Sequence, residues 1–239
     1  ISWSNNNIGS EPNPIENIIP ADIDQDGDLD LVYGVTGPES KIRFAENDGT
    51  GNGWSKTDIG DQDVESVSVG DIDGDNDLDV VGVGNNQKVY FFENDNGDAS
   101  SWTRHEIADT GDIARSVALG DIDRDGDLDI AVADYGPNAV WFENDGTDSG
   151  WTENTIGSTT GNAWSIALAD FDQDDDLDVV TGDSGNEVKL HENDGTSDPT
   201  FTTTTIIDKN NDIFSLAVGD IEGDGTLDIA FGESDRDIE

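Results

Sequence analysis

A chain of 239 residues with 56 acidic and 10 basic side chains carries a formal charge of −46, which argues against nucleic acid or an anionic membrane as a partner. It holds no Cys, so disulfide staples and thiol chemistry are excluded. It also lacks an apolar run of about 18 residues that could insert into a membrane as a helix.

In chain order, the first expected strand opens at Trp3, and Ile19 with Pro20 marks an irregular strand entering the acidic loop DIDQDGDLD at Asp22. Leu31, Val32 and Tyr33 follow as a β-branched and aromatic run. KIRFAENDG from Lys41 ends in an Asn-Asp-Gly hairpin signal, and Trp54 opens the next strand. The same series then recurs. SVSVGD from Ser66 enters DIDGDNDLD at Asp71, followed by Val80 and Val81, KVYFFENDNG from Lys88 and Trp102. SVALGD from Ser116 enters DIDRDGDLD at Asp121, followed by Ile130 to Val132, AVWFENDG from Ala139 and Trp151. SIALAD from Ser165 enters DFDQDDDLD at Asp170, followed by Val179 and Val180, VKLHENDG from Val188 and Phe201. SLAVGD from Ser215 enters DIEGDGTLD at Asp220, followed by Ile229 to Phe231.

The loop starts are separated by 49, 50, 49 and 50 residues. Such a period signals a repeat architecture, and four short antiparallel strands per repeat match a propeller blade. The strand entering each loop alternates large and small side chains, as in Val67 and Val69 against Ser68, which suits an innermost strand. No stretch has a helical period. The expected fold is an all-β propeller of five four-stranded blades of about 50 residues, forming a single domain over residues 1–239. The ends leave two arrangements open, a self-contained five-bladed ring or a segment of a larger ring such as one of seven blades. The second is favoured, because Trp3 reads as the last strand of a blade and the chain stops before a fifth repeat completes. The missing start Met and signal peptide likewise read as an excised part of something longer.

Crowding 25 acidic residues into five nine-residue loops costs electrostatic energy unless a cation offsets it. Calcium takes six to eight oxygen ligands in flexible geometry, which alternate carboxylates around a sharp turn can supply. Positions one, three, five, seven and nine are Asp22, Asp24, Asp26, Asp28 and Asp30 in the first loop, and Asp71, Asp73, Asp75, Asp77 and Asp79 in the second. They are Asp121, Asp123, Asp125, Asp127 and Asp129 in the third, and Asp170, Asp172, Asp174, Asp176 and Asp178 in the fourth. The fifth has Asp220, Glu222, Asp224, Thr226 and Asp228, and its substitutions at positions three and seven make it the weakest candidate. Position seven is expected to offer its backbone carbonyl. Position six is Gly27, Asn76, Gly126, Asp175 or Gly225, residues that tolerate a left-handed backbone. Position eight is always Leu, expected to anchor the loop to a core. Four or five Ca²⁺ are expected. An EF-hand is excluded, because that loop ends in Glu at position twelve between helices.

The loop pattern, with GD before it and LD-hydrophobic after it, resembles the FG-GAP/VCBS repeat over essentially the whole chain. The resemblance implies calcium-binding propeller blades, with Asp at positions one, three, five and nine as side-chain ligands. It leaves function open, since similar repeats occur in adhesion, sugar-binding and polysaccharide-cleaving proteins.

Antiparallel connectivity puts the acidic loops and the Asn-Asp-Gly turns at one face. The opposite face carries the variation, with Glu65, Arg115, Trp164 and Phe214 before the inner-strand Ser and Tyr135 in a connecting loop. Arg115, Tyr135, Trp164 and Phe214 are the candidate patch for a protein or glycan ligand, and the alternative reading makes Trp164 and Phe214 plugs of the central channel. Catalytic signals are thin. His191 aligns with Phe92 and Phe142 as a packed strand residue, and His105 is expected to be solvated on an outer strand. The expected role is a secreted or cell-surface binding or adhesion module rather than an enzyme. The rival is the propeller part of a carbohydrate-active enzyme such as a polysaccharide lyase. The acidic excess fits a high-salt or marine setting, or simply an acidic surface protein.

Overall fold

A computed structural model describes residues 7–50, 53–147, 150–209 and 211–234. The expected strand at Trp3 lies outside them. The described residues contain no helix, and 18 strands form five antiparallel sheets.

The chain divides into two compact units, Ile1–Ile107 and Ala108–Glu239. The first unit holds a sheet of β1 (Ile15–Ala21), β2 (Asp30–Val35), β3 (Lys41–Asn47) and β4 (Trp54–Gly60). Its second sheet has β5 (Ser66–Gly70), β6 (Asp79–Val83), β7 (Lys88–Asn94) and β8 (Trp102–Asp109). The second unit begins with β9 (Ala114–Gly120), β10 (Asp129–Asp134), β11 (Asn138–Asn144) and β12 (Trp151–Ser158). Next come β13 (Ala163–Ala169), β14 (Asp178–Asp183), β15 (Glu187–Asn193) and β16 (Phe201–Asp208). The last sheet consists of β17 (Ile213–Gly219) and β18 (Asp228–Glu233). Each full sheet runs in sequence order, as in a propeller blade.

The second strand of each four-stranded sheet is covered on both faces, so it reads as a continuous β-branched run rather than an alternation. Val80, Val81 and Val83 of β6 are fully buried, each contributing about 1.5–3 kcal/mol relative to exposure. The cores lie between successive sheets of a unit. In the first unit Ile23, Val32, Ile42 and Phe44 pack with Val64, Val67, Val80 and Phe92. In the second, Ile122, Ala131 and Trp141 pack with Ala163, Ile166 and Val179. Val180 and Val188 meet Ile213 and Phe231 of the last sheet.

First strands adjoin one another, β1 against β5, β9 against β13, and β13 against β17. Hydrogen bonds join them: Val67 N donates to Asn17 Oδ1 at 3.1 Å, Ile166 N to Ser116 Oγ at 3.4 Å and Leu216 N to Ser165 Oγ at 3.0 Å. Asn17, Ser116 and Ser165, the small polar residues of β1, β9 and β13, are therefore ties to the next blade, and bulky neighbours would keep the strands apart. β1 has the irregularity expected of it, a register shift between Ile15 and Ile18, but Pro20 still pairs opposite Leu31, and the pairings of β9, β13 and β17 carry similar shifts.

Candidate metal centres

Each acidic loop joins a first strand to a second and closes on itself through position one. The N–H of position six donates to the position-one carboxylate, Gly27 to Asp22 at 3.1 Å, Asn76 to Asp71 at 3.0 Å and Gly126 to Asp121 at 3.2 Å. Asp175 to Asp170 at 3.2 Å and Gly225 to Asp220 at 3.0 Å complete the set. This closure needs a left-handed residue at position six, and φ there is 96°, 74°, 103°, 72° and 90° in loops one to five.

Position nine is held from two sides. One carboxylate oxygen accepts the N–H of position two, as from Ile72 at 2.9 Å and Ile122 at 2.8 Å. The other accepts the N–H of the Asn that begins the Asn-Asp-Gly turn: Asn47 to Asp30 at 2.8 Å, and Asn94 to Asp79, Asn144 to Asp129 and Asn193 to Asp178 at 2.9 Å. Acidic loop and turn thus share one end of the blade.

These constraints converge positions one, three and nine. Carboxylate oxygens of Asp22, Asp24 and Asp30 lie within 4.8 Å of one another, as do those of Asp71, Asp73 and Asp79, of Asp121, Asp123 and Asp129, and of Asp170, Asp172 and Asp178. Burial pushes Asp79 and Asp129 up to about 7 and Asp30 to about 6, even though backbone donors pull the other way and neighbouring loop carboxylates add to the rise. Burial also raises Asp24, Asp73, Asp123 and Asp178. Three converging oxygens, at least one of them beneath the surface and costly to ionise alone, are a donor set that a hard divalent cation fits.

The other loop positions make further contacts. Asp26, Asp75, Asp125 and Asp174 at position five lie outside the trios and accept the N–H of position seven at 2.8–3.2 Å. At position seven, Asp28, Asp77, Asp127 and Asp176 stand over Gly49, Gly97, Gly146 and Gly195, where a Cβ would clash with the carboxylate. In the fifth loop Asp220, Glu222 and Asp228 form no trio among the described residues. Asp220 instead accepts backbone N–H from Gly223, Asp224 and Gly225, and Thr226 Oγ1 donates to Asp224 at 2.6 Å.

Position eight anchors the loop only in part, as where Leu78 packs against the first unit's core. Leu29 is 62% exposed, and Leu78, Leu128, Leu177 and Leu227 are only half-buried. The core is reached by position two, with Ile23 and Ile122 fully buried and Ile72 nearly so. Position four is also left-handed, with Gln25 at φ 59°, Gly74 at 76°, Arg124 at 65°, Gln173 at 66° and Gly223 at 73°. Only two glycines hinted at this.

At the opposite end of the second unit's strands, the structure brings Arg115, Tyr135, Trp164 and Phe214 together. Arg115 Nη2 donates to Tyr135 Oη at 2.6 Å, and its guanidinium carbon lies 4.8 Å from the Tyr135 ring centroid and 5.2 Å from that of Trp164. Trp164 meets Tyr135 at 5.5 Å and Phe214 edge-on at 4.8 Å. Phe214 is 43% exposed, and the buried Trp164 Nε1 has no hydrogen-bond partner among the described residues.

His191 is packed, fully buried between Thr181 Oγ1 at 3.0 Å and Thr203 Oγ1 at 2.9 Å, and burial lowers it to about 4. His105 is not the solvated residue expected. It stacks on Phe91 at 5.0 Å and pairs with Glu93 at 2.9 Å.

Among solved structures, the chain is similar to the WD40 β-propeller domain of Doa1, with 13% identity and a TM-score of 0.64 over 95% of this chain and 64% of that one. It is also similar to BBS1N in a complex with ARL6DN, with 12% identity and a TM-score of 0.57 over 93% of this chain and 62% of that one. The chain thus spans less than two thirds of the length of either neighbour. No curated protein matches it. The model of the FG-GAP-like repeat matches four times in succession, at residues 22–82, 71–132, 121–181 and 170–231. Each match begins at an acidic loop and runs through the next, so the chain belongs to the FG-GAP-like repeat family and folds as β-propeller blades.

Proposed function

We propose that this chain is a calcium-stabilised propeller module that binds a protein or glycan ligand outside the cell. The observation that carries the calcium half is the recurrence of one carboxylate trio in four loops. The trios offer oxygen alone, without His or Cys, which favours a hard cation over zinc or copper. Calcium suits them better than Mg²⁺, which demands near-ideal octahedral geometry and dehydrates reluctantly. Asp at positions one, three and nine would hold the ion. When bound, it supplies positive charge that offsets the buried carboxylates and ties the two strands of a hairpin together.

Extracellular modules bind calcium with Kd of roughly 10⁻⁴–10⁻³ M. At about 10 mM calcium, mass action then stabilises the fold by roughly 1.4–2.7 kcal/mol per site. Over four sites that rivals the roughly 5–15 kcal/mol of a whole domain. Chelation at moderate salt should therefore lower Tm by tens of degrees, calcium should restore it, and Mg²⁺ should restore it poorly. A chelated protein melting within a few degrees of the calcium form would refute this reading.

The ligand half rests on the Arg115, Tyr135, Trp164 and Phe214 cluster, whose aromatic faces and cation suit a protein or sugar surface. Phe214→Ala and Arg115→Ala should abolish capture on a glycan array while leaving Tm nearly unchanged. A large fall in Tm would make the cluster a structural plug.

A further inference from the structure

Asn94 and Asn193 occupy equivalent places in β7 and β15, and both are buried. Each touches two acidic loops. Asn94 Nδ2 donates to the carbonyl of Ile23 in loop one at 3.1 Å and to that of Leu78 in loop two at 3.3 Å, while its backbone N–H holds Asp79. Asn193 Nδ2 donates to Ile122 in loop three at 2.9 Å and to Leu177 in loop four at 3.1 Å, while its N–H holds Asp178.

The ligand geometry on both sides hangs on that one residue. The Ile23 carbonyl belongs to the peptide that leads into Asp24, position three of the first trio, and Asp79 is position nine of the second. Asp123 and Asp178 stand in the same relation around Asn193. A second contact spans loops one and two at the surface, where Gln25 Nε2 donates to Asn76 O at 3.0 Å and to Asp77 Oδ1 at 2.8 Å.

We propose that Asn94 and Asn193 are positioning residues that couple metal binding between adjacent loops, one with two and three with four, with Gln25 reinforcing the first pair. The proposal rests on the calcium reading above. An ion that orders Asp24 fixes the Ile23 peptide, and the carboxamide gripping that peptide is then held in place to orient Asp79. Because the carboxamide sits in a packed interior with both carbonyls engaged, a shift on one side has no slack to dissipate into. Coupling of this kind is reciprocal and typically changes affinity by about 5–150-fold.

Hydrogen–deuterium exchange, read peptide by peptide across a calcium titration, gives a separate midpoint for each loop. Asp24→Asn should remove the response of loop one and raise the midpoint of loop two by at least about fivefold. In an Asn94→Ala background the same substitution should move loop two by less than about twofold, and Gln25→Ala, at an exposed position, should reduce the transfer in part. Asp123→Asn read at loop four, with and without Asn193→Ala, repeats the test. Calcium-dependent protection in every loop, with Asp24→Asn confined to loop one, would overturn the coupling and leave the calcium reading intact. Undiminished transfer in Asn94→Ala would overturn the role of the carboxamide. Should Asn94→Ala not fold, undiminished transfer in Gln25→Ala would overturn the surface contact, and absent transfer in Asp24→Asn alone would overturn the whole. No calcium response in any loop would overturn both readings.

Discussion

Loops three and five of the second unit have nearly the same local backbone and different surroundings. Both are left-handed at position six, with φ 103° and 90°, and in both the N–H of position two reaches position nine, at 2.8 and 2.9 Å. Yet Ile122 is fully buried where Ile221 is 68% exposed, and Asp129 is fully buried where Asp228 is only half-buried. Asn144 of β11 covers Asp129, whereas among the described residues the last sheet has only β17 and β18, and no such asparagine reaches Asp228. The electrostatics follow. Burial drives Asp129 up to about 7, whereas Asp220 is lowered by the Gly225 N–H and its neighbours and Asp224 by the Thr226 hydroxyl. Nine residues therefore encode the shape of the loop, and the rest of the blade buries the carboxylate at position nine.

The largest difference should appear at position two. Ile122→Ala removes a side chain from the core and should cost about 2–5 kcal/mol in denaturant titrations with saturating calcium. Ile221→Ala, at an exposed position, should change stability by about 0.5 kcal/mol or less. Equal costs would mean that both loops are covered alike.

Covering also sets a pH response in the neighbouring fourth blade. His191 sits at about 4 in the folded chain, below its ordinary 6.5, so the unfolded chain takes up the proton first. Its contribution is full above pH 6.5 and is lost as pH falls toward 4. Between pH 7 and 4.5, wild type should lose roughly 2–3 kcal/mol more than His191→Phe, which carries the Phe found at the equivalent positions 92 and 142. Parallel pH profiles for the two proteins would place His191 in solvent.

The smallest contrast lies at position nine. Asp129→Asn should release one ion and cost roughly 1.4–2.7 kcal/mol at about 10 mM calcium. Asp228→Asn should keep the ion count and change stability by about 0.5 kcal/mol or less. Calorimetric ion counts on the two variants check this directly, and an ion lost from Asp228→Asn would break the contrast.

Much of this was legible in the sequence because repetition exposes constraint. Gly27, Asn76, Gly126, Asp175 and Gly225 share only a tolerance for left-handed backbone, and that is the conformation they adopt. The runs after each loop and the turn signals located four strands per blade, since strand burial and turn chemistry are local properties. Non-local properties were not legible. Position eight reads as the anchor because Leu is invariant there, yet position two, itself always Ile or Phe, is the more deeply buried in loops one to three. Gln25, Arg124 and Gln173 conceal a left-handed position four, because none of them is a residue type that marks such a backbone. The clash of a Cβ at Gly49 with Asp28 links two segments that no local pattern connects. The grip of Asn94 on loops one and two likewise spans residues far apart in the chain.

The central claim, that covered loops are built around a cation and the open one is not, is tested most directly by locating the ions. Crystals grown with calcium and measured at a long wavelength would show each ion as an anomalous peak. The account predicts peaks in loops one to four, each about 2.3–2.6 Å from carboxylate oxygens that include positions one, three and nine, with loop five empty or weak. Peaks in two loops or fewer, or a peak in loop five as strong as that in loop three, would contradict it.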